Sequence, residues 1–346
     1  MRPPVIPVTV LTGFLGAGKT TLINRLLREA HGRRFAVIEN EYGAVNVDAD
    51  LLINDGGETI VQLTNGCVCC TVRGDLADAL DRLARQRDAG EIAFDHVLIE
   101  PTGLADPGPI VRTFIAGSPL QTRYFLDGVV TLFDAVNGPR TLSQAVEAQA
   151  QLAYADRVLV TKPDLLDGAA AVDAVIATVS AANSVAAVAA IDLVTAPWDE
   201  MFDKLLSLRG YQFDRVVFAP AVTDGNRVEH TQAVGSVMFS ADSPLDGPRL
   251  KAALAAIDAR YGERLWRIKG VLAIDGVRSR IILQGVQGLL QSQASTPWRM
   301  FEPQRTQLVL IGRELDRDWL LQQLGDCLAA PADTSMHGVP MPRLPG

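Results

Sequence analysis

Short apolar runs alternate with amphipathic stretches through the first half of the chain. Val8–Thr12, Phe35–Ile38, Glu58–Leu63, His96–Ile99, Gly128–Phe133 and Arg157–Val160 read as strands. Leu22–Arg28, Asp75–Arg87 and Leu142–Leu152 carry helical spacing, with Leu76, Leu80 and Leu83 on one face of the second. The alanine-rich stretch 169–190 predicts a packed helix followed by a short strand. This alternation predicts an α/β domain with a mainly parallel sheet covered by helices on both faces. Ligands of such sheets bind beyond the carboxyl ends of the strands.

Polar and Gly/Pro content rises after Phe218, through Pro220, Asp224-Gly225-Asn226 and Gly235. A second pattern follows: strand Ser236–Phe239, helix Pro248–Tyr261, strands Leu265–Ile274, Arg278–Gln284 and Gln307–Ile311, and helix Arg317–Leu328. The expected organisation is a larger α/β domain over 1–218, a linker over 219–234, a smaller α+β domain over 235–330 and a Pro-rich tail over 331–346.

Several polar segments follow directly on strand ends. Gly13-Phe-Leu-Gly-Ala-Gly-Lys-Thr-Thr21 fits G-x-x-x-x-G-K-[ST], between a strand and a helix as that motif requires. Gly13, Gly16, Ala17 and Gly18 would turn their amides toward phosphates, and the helix starting nearby adds its positive end. Lys19 is placed to reach the β- and γ-phosphates, the Thr20 hydroxyl to ligate Mg²⁺, and Thr21 to complete the loop. Thr161-Lys-Pro-Asp164 fits [NT]-K-x-D. Its carboxylate can accept from both the ring N–H and the exocyclic amine of guanine, a pair adenine does not offer. The Lys162 stem can cover the base.

Glu100 ends a strand where a Walker-B acid would hold Mg²⁺, and Gly103 follows with an N–H for the γ-phosphate. Glu39-Asn-Glu-Tyr-Gly43 lies where a nucleotide-sensing segment would, with Asp48 as a second Mg²⁺-side acid; Glu41 reads equally well as a solvated loop residue. Cys67, Cys69 and Cys70 crowd three soft donors into one turn, which suits Zn²⁺ with a fourth ligand from elsewhere. A Cys67/Cys70 redox pair and three buried structural cysteines are the alternatives. Among the histidines, His230 is a surface or ligand candidate, while His31, His96 and His337 lack ligand spacing. Cys327 falls on the apolar side of the last helix and reads as core.

Composition narrows the class. A net charge of −8 argues against a nucleic-acid surface. No apolar run is long enough to span a bilayer, and the prolines around Val5–Leu11 fit a first strand better than an export signal. Clustered thiols suit a reducing cytoplasm better than a disulfide framework.

Taken in order, GFLGAGKTT, IENEYG, NGCVCC, IEPTGLADPGP and TKPD resemble the motifs of the CobW-type metal-chaperone GTPases, related to HypB and UreG, in their YjiA-like branch. Trp266-Arg-Ile-Lys-Gly270 and Leu283-Gln-Gly-Val286 are similar to the CobW C-terminal domain. The resemblance implies binding of GTP and GDP, slow GTP hydrolysis, and Zn²⁺, or Co²⁺ or Ni²⁺, at the cysteine loop. It implies delivery of that metal to a client metalloprotein under nucleotide control, and leaves room for a metal-dependent homodimer. By position, Glu39, Cys69 and Cys70 match the metal-binding acid and cysteines, and Cys67 the first family cysteine. The chain departs at Ala44, where many members place another acid, and in having no His-rich tract; Tyr42 and Pro101 are milder changes. The alternative reading is a metal-binding regulator, or the activator of one metalloenzyme such as a nitrile hydratase or a cobalamin-pathway enzyme, using GTP only to change shape. No water-positioning residue for hydrolysis is apparent in the motifs.

Overall fold

The computed structural model describes residues 5–29, 34–39, 52–54, 58–62, 72–115, 119–197, 199, 202, 205–206, 208 and 234–329. Strands β1 (Ile6–Gly13), β2 (Phe35–Glu39), β3 (Leu52–Asn54), β4 (Glu58–Gln62), β5 (His96–Glu100), β6 (Tyr124–Asp134), β7 (Arg157–Thr161) and β8 (Ala187–Ile191) form one sheet. Its order is β3-β4-β2-β5-β1-β6-β7-β8. Only β3 runs antiparallel to its neighbour, so the expected mainly parallel sheet is present. Its central strands are apolar on both faces because both faces are covered. On one face Leu11, Val37, Leu98 and Leu132 pack against Leu22, Ile23 and Leu26 of α1 (Lys19–Arg28). On the other, Val8, Val10, Ile38, Val97 and Val129 meet Leu76, Leu80 and Leu83 of α2 (Val72–Asp88), as the leucine spacing predicts. That face is completed by α3 (Gly108–Thr113), α5 (Val146–Tyr154) and α6 (Ala169–Ala182).

The second sheet is antiparallel, in the order β12-β11-β10-β13-β9. It comprises β9 (Val234–Ala241), β10 (Leu265–Leu272), β11 (Ser279–Val286), β12 (Leu289–Pro297) and β13 (Thr306–Arg313). Along β13, Leu308 and Leu310 pack with α7 (Gly247–Tyr261) and α8 (Arg317–Gly325), while Val309 and Ile311 join the core of the first sheet. The two sheets are therefore held by a shared apolar seam. Both helices start on an aspartate whose side chain accepts a main-chain N–H: Asp246 from Arg249 and Asp316 from Trp319.

Several elements differ from the sequence expectation, among them β3 and α3, for which the sequence pattern predicts no element. Leu142–Leu152 is not one helix: the chain breaks at Ala145 (φ −114°, ψ 122°), between α4 (Gly138–Gln144) and α5. The last helix stops at Gly325, so Cys327 lies beyond it, although it is buried in the core as expected. Strand β12 carries no apolar alternation because it is the sheet edge and is mostly exposed. It is set by a two-residue turn from β11, with Gln287 at φ 44° and Gly288 at φ 78°. The stretch 209–233 and the tail from 330 onward, where the domain boundary and the Pro-rich segment were expected, lie outside the described residues.

Candidate functional site

The strand register brings the sequence candidates to one edge. Glu39 stands level with Gln62 on one side and Glu100 on the other, and Asp134 is level with Thr161. The carboxyl ends of β4, β2, β5, β1, β6 and β7 thus form a continuous rim, with the phosphate-binding loop at its centre.

That loop leaves β1 at Gly13, where the backbone passes so close to β6 that a Cβ would fall 2.5 Å from the Leu132 carbonyl oxygen. Its φ of 145° adds a second reason for glycine. The loop closes through Ala17 N–H donating to the Phe14 carbonyl at 3.1 Å, and α1 begins at Lys19. The Lys19 ammonium donates to the carbonyls of Gly13 at 2.8 Å and Phe14 at 3.4 Å, so the cation sits inside the mouth of the loop. Burial lowers its pKa from the ordinary lysine value, against the opposing pull of the Glu100 charge. Glu100 and Lys19 therefore act on each other across the strand end. Thr20 and Thr21 are exposed on the first turn of α1.

On the other flank, the Thr161 hydroxyl donates to the Ala17 carbonyl at 2.8 Å, which ties the Thr-Lys-Pro-Asp turn directly to the phosphate loop. Lys162 sits at φ 57°, a conformation unusual for a side-chain-bearing residue. Its ammonium donates to Asp134 Oδ2 at 2.6 Å. Burial alone would raise the Asp134 pKa. The Lys162 ammonium, the Asn137 amide and side chain and the Val136 amide outweigh it and hold the carboxyl below its usual range. Lys162 is thus fixed at its tip while its stem stays available. Asp164 follows in a short turn and is exposed.

The segment after Glu100 rests on the phosphate loop. A Cβ on Gly103 would lie 3.0 Å from the Leu15 nitrogen and 2.7 Å from the Leu15 side-chain tip, so this segment rests closely on the phosphate loop. Gln151 of α5 donates to the carbonyls of Gly103 and Ala105 at 3.0 and 3.1 Å. Asp106 accepts from Gly108 N–H at 2.8 Å and from the Gln287 amide of the second sheet at 3.2 Å. Its pKa is raised, chiefly by burial and secondarily by Glu147 and Glu263, against those two hydrogen bonds.

The metal candidates fall differently. Cys67, Cys69, Cys70 and Asp48 lie outside the described residues, as does the Glu39 side chain. Among the described residues no group of three or more His, Cys, Asp or Glu could hold a metal ion. His96 is buried, with its Nε2 2.8 Å from the Thr9 hydroxyl.

Residues 7–190 match the CobW/HypB/UreG nucleotide-binding domain, and residues 234–328 match the cobalamin synthesis protein cobW C-terminal domain. The chain belongs to the CobW family. Within that family it is 39% identical over 313 residues to the zinc chaperone YjiA of Escherichia coli, covering 90% of this chain and 96% of that protein. It is 32% identical to the zinc chaperone CobW of Pseudomonas aeruginosa over 356 residues, covering 94% and 92%. The crystal structure of Zn(II)-bound YjiA GTPase from E. coli superposes with a TM-score of 0.79 at 34% identity, covering 94% of this chain and all of that one.

For this CobW-family chain, three polar residues of the site were not anticipated: Asp134, Gln151 and Asp106. Asp134 carries the same signal as Glu100, a carboxylate ending a buried apolar run. Asp106 lies inside the quoted IEPTGLADPGP motif. Gln151 gave no signal beyond being polar within an apolar helix pattern.

Proposed function

We propose that this chain is a GTP-hydrolysing metallochaperone that binds zinc, or a similar divalent ion, and delivers it to a client metalloprotein under nucleotide control. The observation that carries the reading is the single rim on which the phosphate loop with buried Lys19, the Thr161–Asp164 turn and the Glu39–Glu100 strand pair stand side by side. Cys67, Cys69 and Cys70 fall in the sequence between β4, whose carboxyl end stands on that rim, and α2. The zinc-chaperone relatives, alike over nearly the whole chain, support the same reading.

Phosphoryl transfer depends on positioning and charge stabilisation. Lys19 meets the β- and γ-phosphates, the amides of Gly13, Gly16, Gly18, Thr20 and Thr21 surround them, Ala17 closes the loop through its bond to Phe14, and Gly103 N–H faces the γ-phosphate. Exposed Thr20 and rim-facing Glu100 suit Mg²⁺, with Asp48 as a further acid; that ion would neutralise charge on the phosphates. Asp164 selects guanine, Thr161 locks its turn to the loop, and Lys162 covers the base. Cys67, Cys69, Cys70 and Glu39 form the zinc set. We place the protein in the cytoplasm, where the thiols stay reduced; no helix among the described residues is long and apolar enough to cross a membrane.

Steady-state GTP turnover measured with Zn²⁺, with a chelator, and with candidate apo-metalloenzymes tests the proposal. GTP hydrolysis whose rate responds to metal is expected, and a protein that neither hydrolyses GTP nor binds Zn²⁺ contradicts it. Asp164→Asn is expected to weaken GTP by about 1–3 kcal/mol, the worth of a charge-assisted hydrogen bond, while ATP binding stays weak. Competition titration reads this directly, and equal wild-type affinity for ATP and GTP would remove the guanine assignment.

A further inference from the structure

We propose that Gln151 is a positioning residue for GTP hydrolysis, one that holds the Gly103–Ala105 backbone against the phosphate loop. The inference rests on the GTPase reading above and adds a residue that acts through that loop without touching nucleotide.

Gln151 lies in α5, is 1% exposed, and lines a cavity together with Phe14, Leu15 and Ala17 of the phosphate loop. Both groups facing its amide nitrogen are main-chain carbonyls, Gly103 at 3.0 Å and Ala105 at 3.1 Å. Two acceptors leave one orientation of the amide, with NH₂ toward the loop. The same segment closes on itself through Ala105 N–H donating to the Thr102 carbonyl at 3.0 Å. Its other side is the backbone of Leu15, so close that a Cβ on Gly103 would lie 3.0 Å from the Leu15 nitrogen. The Gly103 segment is therefore held by two bonds from Gln151 while Gly103 itself lies against Leu15 of the phosphate loop.

Gln151 is itself anchored. Its main-chain carbonyl accepts from the Thr131 hydroxyl at 2.7 Å, and Thr131 pairs with Thr12 in β1, the residue before the phosphate loop begins. The clamp and the loop thus share one rigid strand pair. The two Nε2 bonds are made, but Oε1 is buried with no hydrogen-bond partner among the described residues, so the amide is kept here at a cost in free energy. A leucine would serve packing alone, whereas an amide here sets the plane of two peptides. An N–H aimed at developing phosphate charge is effective only when its direction is fixed before reaction. Displacement by about 1 Å can cost about a hundredfold in rate.

The matched control is Gln149. It sits on the same helix, is also buried at 5% exposed, and donates its amide to the Leu142 carbonyl at 2.9 Å, not to the Gly103 segment. In the full chain with Mg²⁺, Gln151→Leu is expected to lower kcat by about 10- to 100-fold. KM for GTP and affinity for GDP should stay within about twofold, because Gln151 does not touch nucleotide and most of the lost effect appears in the transition state. Gln149→Leu is expected to lower thermal stability while leaving kcat near wild type. Hydrogen exchange supplies a readout that packing alone would not move. Amides 103–105 of the wild type should gain protection with GTPγS over GDP, and the gain should vanish in Gln151→Leu.

Unchanged kcat in Gln151→Leu overturns the proposal. So does a parallel loss of kcat, GDP affinity and melting temperature, which marks a purely structural residue. If the leucine variant does not fold, Gln151→Met and the wild-type exchange experiment decide, and absence of GTPγS-dependent protection at 103–105 overturns the proposal. A wild type without GTP turnover removes the GTPase reading itself, a result distinct from any difference between variants.

Discussion

Lys19→Ala is expected to weaken both GTP and GDP by about 2–4 kcal/mol, roughly 30- to 1,000-fold in Kd. Lys19 is the cation held inside the loop, donating to the Gly13 and Phe14 carbonyls at the spot where phosphate oxygens would replace them as partners. Hydrogen bonds to ionised groups are roughly twice as strong as neutral ones, and phosphate is the acceptor that makes them so. The loop amides remain in the variant, which is why binding is weakened and not reduced to zero. Folding should respond in the opposite sense. Burial is the main influence on Lys19 and disfavours its charge. The nucleotide-free variant should therefore melt no lower than the wild type. Titration with a fluorescent GDP analogue and a melt without nucleotide check the two halves. Wild-type affinity in the variant would remove the phosphate-loop assignment.

Asp156→Ala is expected to be the most destabilising single change, by about 3–5 kcal/mol, because it strands buried cations. The Asp156 carboxylate is 5% exposed and pairs with Arg267, itself 2% exposed, from β10. Lys269 lies 3.6 Å away, and Val129 N–H donates to the second carboxylate oxygen at 2.9 Å. Arg267 also donates to the carbonyls of Tyr154 and Ala155 at 2.6 and 2.9 Å, so the cluster fastens the second sheet to the end of α5. Burial pushes the Lys269 pKa down to about 8, with Asp156 opposing and Arg267 assisting. The folded form therefore holds fewer protons than the unfolded chain between about pH 8 and the ordinary lysine value. The Lys269–Asp156 attraction is present below about pH 8 and fades above it. The destabilisation measured by guanidinium unfolding should accordingly shrink from pH 7 to pH 9. A loss below about 1 kcal/mol at pH 7 would mean that the cluster is not a buried ion pair.

The GTPase core was legible because each of its parts has a local cause. Val8–Thr12 is mostly apolar and buried throughout since both faces of β1 are covered, and the glycines after it are required by close approach to Leu132 and by backbone angles. Glu39, Glu100 and Thr161 could be placed because a strand end in a parallel sheet is a fixed address. Asp134 was equally legible and was missed, since its partner Lys162 lies far along the sequence. Gln151 and Asp106 were not legible. Their roles come from contacts across α5 and across the two sheets, which no period of hydrophobicity encodes. Strand β12 escaped for the converse reason: an edge strand exposed to water needs no apolar pattern and is held by its turn and by pairing with β11.

Under the proposed function the zinc ligands answer to the nucleotide, so each site should report on the other. Zn²⁺ affinity, measured by competition with a chromophoric chelator, is expected to differ between protein loaded with GTPγS and protein loaded with GDP. By linkage, Zn²⁺ must change the preference between the two nucleotides by the same factor, typically ~5- to 150-fold. Cys69→Ala combined with Cys70→Ala should remove both the metal and the difference while nucleotide binding persists. In the wild type, affinity should fall as pH drops, because cysteines bind as thiolates. The result predicted is two separated Zn²⁺ titration curves, one for each nucleotide; superimposed curves would contradict nucleotide-controlled metal handling and leave a zinc site that takes no part in the GTPase cycle.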